Sequence, residues 1–97
     1  MTDAPAHYAL VITPTARRQL TQNLPEVVAF AAYEFMVGPL LANPQRVGKR
    51  LPAPLDDRHS ARRGTYRVIY RIDDAERTVT VVDIAHRQDA HRTNSLR

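Results

Sequence analysis

No cysteine occurs among the 97 residues. That absence excludes a disulfide scaffold and a zinc–thiolate centre, and it suits a reducing, cytoplasmic compartment. No apolar run approaches the roughly 18 residues at which a helix begins to span a bilayer, so no membrane partner is expected. The opening MTDAPAHY lacks the basic stretch and following apolar run of a secretory leader. Internal repeats and low-complexity tracts are missing too. Histidines and carboxylates never fall at metal-ligand spacing, so neither a metal nor a cofactor is expected. What is present is ordinary folded composition, 43% hydrophobic and 25% charged, which argues against disorder. A single domain over 1–97 is expected, with 1–6 and 93–97 as flexible tails.

Acidic residues are scarce in one stretch. Residues 46–71 hold eight cations (Arg46, Lys49, Arg50, Arg58, Arg62, Arg63, Arg67 and Arg71) against Asp56 and Asp57, a net +6, whereas 1–45 and 72–97 each sum to −1. The whole excess of the +4 chain therefore lies in one segment, and a polyanion is its natural partner. Seven of the eight are arginine, whose planar fork suits phosphate better than simple solvation does.

Periodicity gives the elements. YALVI at 8–12 reads as a short buried strand. Thr13 and Pro14 predict a helix start, as N-cap and first helical residue, with a helix to about Asn23. Leu24-Pro25 breaks it, and a second helix follows. Leu24, Val28, Ala31 and Phe35 fall at helical spacing, widened by Val27, Ala32 and Met36, which predicts a core-facing stripe. Gly38-Pro39 ends this helix near Val37, and Leu40 and Leu41 pack through a last turn before Asn43-Pro44. Residues 45–58 predict an irregular basic connection with an extended piece around Arg46 to Leu51. TYRVIYRI at 65–72 alternates strictly, Asp73 to Glu76 turns, and TVTVVDI at 78–84 returns as the second arm of a hairpin. HSARR at 59–63 predicts a shorter strand feeding in, and His86 to Arg97 a polar tail. The predicted class is α+β: a small, mainly antiparallel sheet packed on an N-terminal helical hairpin, with its other face open.

Alternation sets Arg67 and Arg71 on that open face if Tyr66, Val68 and Tyr70 pack on the helices. Arg62 and Arg63 lie one strand earlier, so one of them falls beside Arg67, and Arg87 follows the last strand. A lone arginine on a sheet face is commonly paired with an acid; a cluster in a segment with two acids is not so easily neutralised. Such a cluster suits an RNA phosphodiester. Cleavage by the neighbouring 2′-OH needs in-line positioning, charge stabilisation at the phosphorane and a base. Arginines supply the first two, and His86 and His91 are the base candidates near the patch. DNA lacks the 2′-OH and would not be cut by this route.

HSARRGTYRVIYRIDD followed by TVTVVDIAHRQDAHR resembles the C-terminal half of RelE-type toxins of the RelE/ParE superfamily. The shared pattern is a Gly-x-Tyr-Arg strand, an acidic turn, a β-branched strand, then His-Arg with an aromatic residue four positions on. Thr13 to Arg18, the Leu24-Pro25 break, Gly38-Pro39-Leu40, Asn43-Pro44 and Gly48-Lys49 extend the resemblance over roughly 7–92. It implies a RelE-like toxin of a type II toxin–antitoxin system: a metal-independent endoribonuclease that cleaves mRNA in the ribosomal A site and is silenced by a RelB-like antitoxin. Arg67 and Arg87 match the residues that hold the phosphate and stabilise transition-state charge. Lys49, Arg50, Arg62, Arg63, Arg71 and His86 make up the expected RNA-binding set. His91 stands where the family has its aromatic residue, so it joins Arg67 and Arg87 as an expected catalytic residue. Two alternatives share the sequence features: a ParE-type inhibitor of DNA gyrase, which binds and does not cut, and an RNA-binding module without catalysis.

Overall fold

The computed structural model describes residues 7–86. The chain runs β1 (Ala9–Ile12), α1 (Pro14–Arg18) continuing as a π-helical turn (Gln19–Asn23), α2 (Glu26–Val37), α3 (Pro39–Ala42), α4 (Pro44–Val47), β2 (Lys49–Arg50), β3 (His59–Arg63), β4 (Tyr66–Asp73) and β5 (Thr78–His86). The strands form one sheet in the order β1-β5-β4-β3-β2. All neighbours are antiparallel except β1, which runs parallel to β5. This is the α+β architecture expected from the alternation of the C-terminal half. The tails and the positions Arg87 and His91 lie outside the described residues.

Local chemistry explains the boundaries. The Thr13 hydroxyl accepts from the Ala16 amide at 3.2 Å and Pro14 opens α1, so the cap falls where the sequence placed it. The helix does not run on regularly to Asn23; it widens into the π turn, where the Leu24 amide reaches the Gln19 carbonyl. That widening lies beside a β-bulge in β5. Ile69 faces Asp83 and Tyr70 faces Val81, which leaves Val82 as the extra residue. Gln19 spans the gap: its amide donates to Asp83 Oδ1 at 2.8 Å, and its carbonyl oxygen accepts from the Ile84 amide at 2.7 Å. A side chain thus satisfies the edge of β5 just past the end of β1.

The core lies between the helices and one sheet face, with Met36, Leu40, Val68, Tyr70, Val79 and Val81 fully buried. The stripe on α2 differs from expectation. Ala32, Phe35 and Met36 are buried, but Ala31 is exposed and Val27 keeps 80% of its surface. Leu24 and Val28 are only half-buried. The helix EVVAFAAYEFMV is apolar on nearly every side, so its sequence does not single out one face, and contact with the sheet selects the side carrying Phe35 and Met36. Residues 45–58 also differ: Pro44–Val47 is a helical turn, and the extended piece shrinks to Lys49–Arg50. His86, expected in the tail, ends β5 and is buried.

Two tyrosines hold the layers together. Tyr70 donates to the Pro44 carbonyl at 2.6 Å, and burial pushes its phenol up to about 12, so it remains a neutral donor. Tyr66 donates to the Ala31 carbonyl at 3.2 Å. Gly48 passes directly over the Tyr70 hydroxyl, where an added Cβ would lie 2.5 Å from it and 2.8 Å from the Ser60 carbonyl oxygen. At the far end of the sheet Tyr8 and Gln45 both donate to the Asp74 carboxylate. Those hydrogen bonds hold the Asp74 carboxyl below the usual carboxylate range, and the Arg77 guanidinium adds to the effect.

Gly48→Ala should cost about 1–3 kcal/mol, read as a lower Tm, because the methyl has backbone on one side and an anchored phenol on the other. Asp74 contributes stability that is complete above an unfolded carboxylate pKa of about 3.9 and fades as pH falls through its lowered folded value. Asp74→Asn should therefore flatten the acid limb of the stability curve below about pH 4; an unchanged limb would remove Asp74 from that account.

Candidate nucleic-acid site

The site is built by a turn. β3 and β4 are joined by two residues, Gly64 and Thr65, with Gly64 at φ +57, a conformation that glycine adopts without strain. The flanking residues Arg63 and Tyr66 are paired across the hairpin, and a two-residue loop makes such a closing pair the hydrogen-bonded one. Antiparallel pairs alternate in kind, so the next pair outward, Arg62–Arg67, is non-hydrogen-bonded, with Cα atoms only about 4.5 Å apart. Two guanidinium groups therefore leave the open face directly opposite each other. Like charges in that arrangement destabilise a sheet. No carboxylate of the described residues pairs with Arg62, Arg67 or Arg71.

Beyond Arg67 on the same face, β5 presents Ala85, a side chain too small to fill the space. The result is a cleft of about 230 Å³ at the turn end of the hairpin, lined by Arg62, Gly64, Thr65, Tyr66, Arg67, Ala85 and His86. Arg67 is half-buried, and its Nε is sealed from solvent without an acceptor among the described residues. An unpartnered buried donor costs on the order of 1–3 kcal/mol, which packing alone gives no reason to keep. His86 is 5% exposed, and its Nε2 lies 3.1 Å from the Thr65 hydroxyl oxygen. The cleft thus offers two cations, a hydroxyl and an imidazole. Among the described residues no three histidines or carboxylates converge as a metal site would require.

The expected site residues separate. Arg62, Arg67 and His86 meet at this cleft. Arg63 does not: it shares the helix-facing side with Tyr66, its guanidinium lies 4.7 Å from the Phe35 ring centroid, and it donates to the carbonyls of Arg62 and Val47. Arg71 stands on the open face opposite Thr80, four residues from Arg67 and roughly 13 Å along the strand at about 3.3 Å per residue. Lys49 and Arg50 form the outermost strand, opposite Ser60 and His59. His59 stacks on Tyr70 at 5.6 Å, and burial, aided by Arg50, depresses its pKa. Arg87 and His91 fall outside the described residues. Thr65 and Ala85 were not singled out by the sequence: a turn threonine and a strand alanine carry no chemical signature, and only the register reveals that they line the cleft.

The family model of the ParE toxin of type II toxin–antitoxin systems, parDE, matches residues 3–91, and the chain belongs to that family. It is 52% identical over 95 residues to toxin RelE of Mycobacterium tuberculosis, covering 98% of this chain and 95% of that protein. Toxin RelG of the same organism is 47% identical over 85 residues, covering 88% and 97%. The fold matches the crystal structure of the M. tuberculosis toxin–antitoxin complex RelBE2 with a TM-score of 0.81 at 47% identity, over 84% of this chain and 99% of that one. The isolated E. coli RelE toxin matches at a TM-score of 0.67 over 93% and 99%, and at 18% identity it speaks for the fold alone. The chain is a RelE-like toxin of a type II toxin–antitoxin system.

If the Arg62–Arg67 juxtaposition is kept for an anion, Arg62→Gln should stabilise the isolated protein by a few tenths of a kcal/mol, about 2 °C in Tm, while weakening RNA binding. A lower Tm for that variant would mean that Arg62 has a structural partner and that the pair is not held at a cost.

Proposed function

We propose that this toxin is a ribosome-dependent endoribonuclease that cleaves mRNA in the A site by attack of the neighbouring 2′-OH. The observation that carries the reading is the Arg62–Arg67 pair: two arginines set directly opposite each other at an open cleft, with no carboxylate of the described residues paired with either. A phosphodiester resolves that repulsion. Arg67, its stem buried and its head at the cleft, holds the scissile phosphate and stabilises the charge that builds on the phosphorane. Arg62 holds a non-bridging oxygen from the opposite strand.

Arg87 and His91 enter through the family pattern. Arg87 supplies a second cation to the transition state, and His91, in place of the aromatic residue, stacks on a base or transfers a proton. Lys49, Arg50 and Arg71 extend the basic surface along the backbone of the RNA, and the ribosome contributes much of the in-line alignment. The reaction needs no metal, because fixed guanidiniums neutralise the developing charge. The solved complex of the 47%-identical relative with its antitoxin supports a RelB-like antitoxin as the silencing partner.

The ParE description of the matching family favours one second reading, inhibition of DNA gyrase by binding. Primer extension on a defined mRNA with programmed ribosomes separates the two. Cuts confined to A-site codons should appear with the wild type, and Arg67→Ala should lower their rate about 10²–10³-fold, the range for loss of one preorganised charge-stabilising group. Intact mRNA, together with loss of supercoiling in a gyrase assay that Arg67→Ala leaves unaffected, would establish the second reading.

A further inference from the structure

Attack by a 2′-OH requires a proton acceptor, and the cationic cleft supplies none by itself. Arginine does not accept a proton at neutral pH. Among the described residues that line the cleft, the single imidazole is that of His86. Yet His86 is 5% exposed and ends β5 on the helix-facing side of the sheet, opposite Tyr66, so its ring has little direct access to a bound nucleotide. Thr65 removes that difficulty. It sits exposed in the two-residue turn, lines the same cleft as Arg62 and Arg67, and carries its hydroxyl oxygen 3.1 Å from His86 Nε2.

We infer that Thr65 and His86 form a proton relay that serves as the general base of the proposed nuclease; the inference rests on that reading of the cleft. With the imidazole proton on Nδ1, His86 Nε2 accepts from the Thr65 hydroxyl. The RNA 2′-OH approaches Thr65 Oγ1 from the cleft side. As the 2′-oxygen forms its bond to phosphorus, its proton passes to Thr65 Oγ1, and the hydroxyl proton of Thr65 passes to His86 Nε2. The bond from phosphorus to the 5′-oxygen breaks, and the departing 5′-oxygen takes a proton from water. The products are a 2′,3′-cyclic phosphate and a 5′-hydroxyl, and the imidazolium returns its proton to solvent. Thr65 touches the reacting oxygen and is catalytic; His86 acts through it. This is the serine–histidine arrangement with the hydroxyl handing on a proton and forming no bond to phosphorus.

The relay also accounts for the burial of His86. An imidazole inside the wall is shielded from water, and Thr65 is its outlet. On its side of the sheet stand Tyr66 from β4 and, beyond Tyr66, Arg63 from β3, while Arg62 and Arg67 line the cleft from the open face.

The test is single-turnover cleavage of ribosome-bound mRNA as a function of pH, with wild type, Thr65→Ser, Thr65→Val and His86→Gln. Thr65→Val is nearly isosteric in an exposed turn and keeps the fold. It should lose at least tenfold in the cleavage rate at saturating toxin, with apparent affinity within about twofold, and the rise in rate across the neutral range should flatten. Thr65→Ser should stay within a few-fold of wild type and keep the rise. His86→Gln combined with Thr65→Val should be no slower than either alone, since both break one relay. A Thr65→Val protein that cuts at the wild-type rate with the wild-type pH profile overturns the relay and leaves the nuclease intact. A wild type that leaves the mRNA whole overturns the nuclease reading and the relay with it.

Discussion

A two-residue turn at Gly64–Thr65 fixes β3 against β4, and nearly everything that matters in this molecule follows from that register. Because Arg63 and Tyr66 close the hairpin, Arg62 must face Arg67 on the open side, and Tyr66, Val68 and Tyr70 must face the helices. Slip by one residue and the arginines enter the core while the tyrosines point to water. The register cannot slip, because two phenols are anchored far away in sequence, Tyr66 on the Ala31 carbonyl and Tyr70 on the Pro44 carbonyl. The packing of the helical layer thus holds two like-charged residues opposite each other on the other face.

This division of labour explains why neighbouring arginines have different fates. Arg62 and Arg63 are adjacent, and strand geometry sends them to opposite faces. Arg63 lies over Phe35 and donates to two carbonyls, so it acts as a strut between the sheet and the helical layer. Arg62 has no such engagement and meets Arg67 at the cleft. A basic run that looks uniform in sequence is one part scaffold and one part site. The same logic separates the histidines: His59 stacks on Tyr70 and is depressed by burial, whereas His86 reaches a cleft hydroxyl.

Much of the fold was legible because it is written in local chemistry. Thr13-Pro14, Leu24-Pro25 and Gly38-Pro39 act on the backbone at the position where they stand, and the helices begin and end there. The alternation of 65–72 fixed which residues share a face. The α2 stripe is only partly buried for a physical reason: a helix apolar all round leaves the choice of buried side to its neighbours, so Val27 and Phe30 finish exposed. The π turn and the Val82 bulge were invisible because each exists to meet the other through Gln19, sixty-four positions from Asp83.

By itself the sequence determined the class of fold, the segregation of positive charge into 46–71, the side of the sheet on which Arg67 lies, and the family to which the chain belongs. These depend on periodicity, composition and turn chemistry, which act over a few residues. Only the tertiary structure decided which cation stands opposite Arg67, that Arg63 is a strut, that Ala85 leaves the cleft open, and that Thr65 touches His86. Those facts depend on strand register and on cross-strand neighbours distant in the chain, and such distances are set by packing the whole core at once.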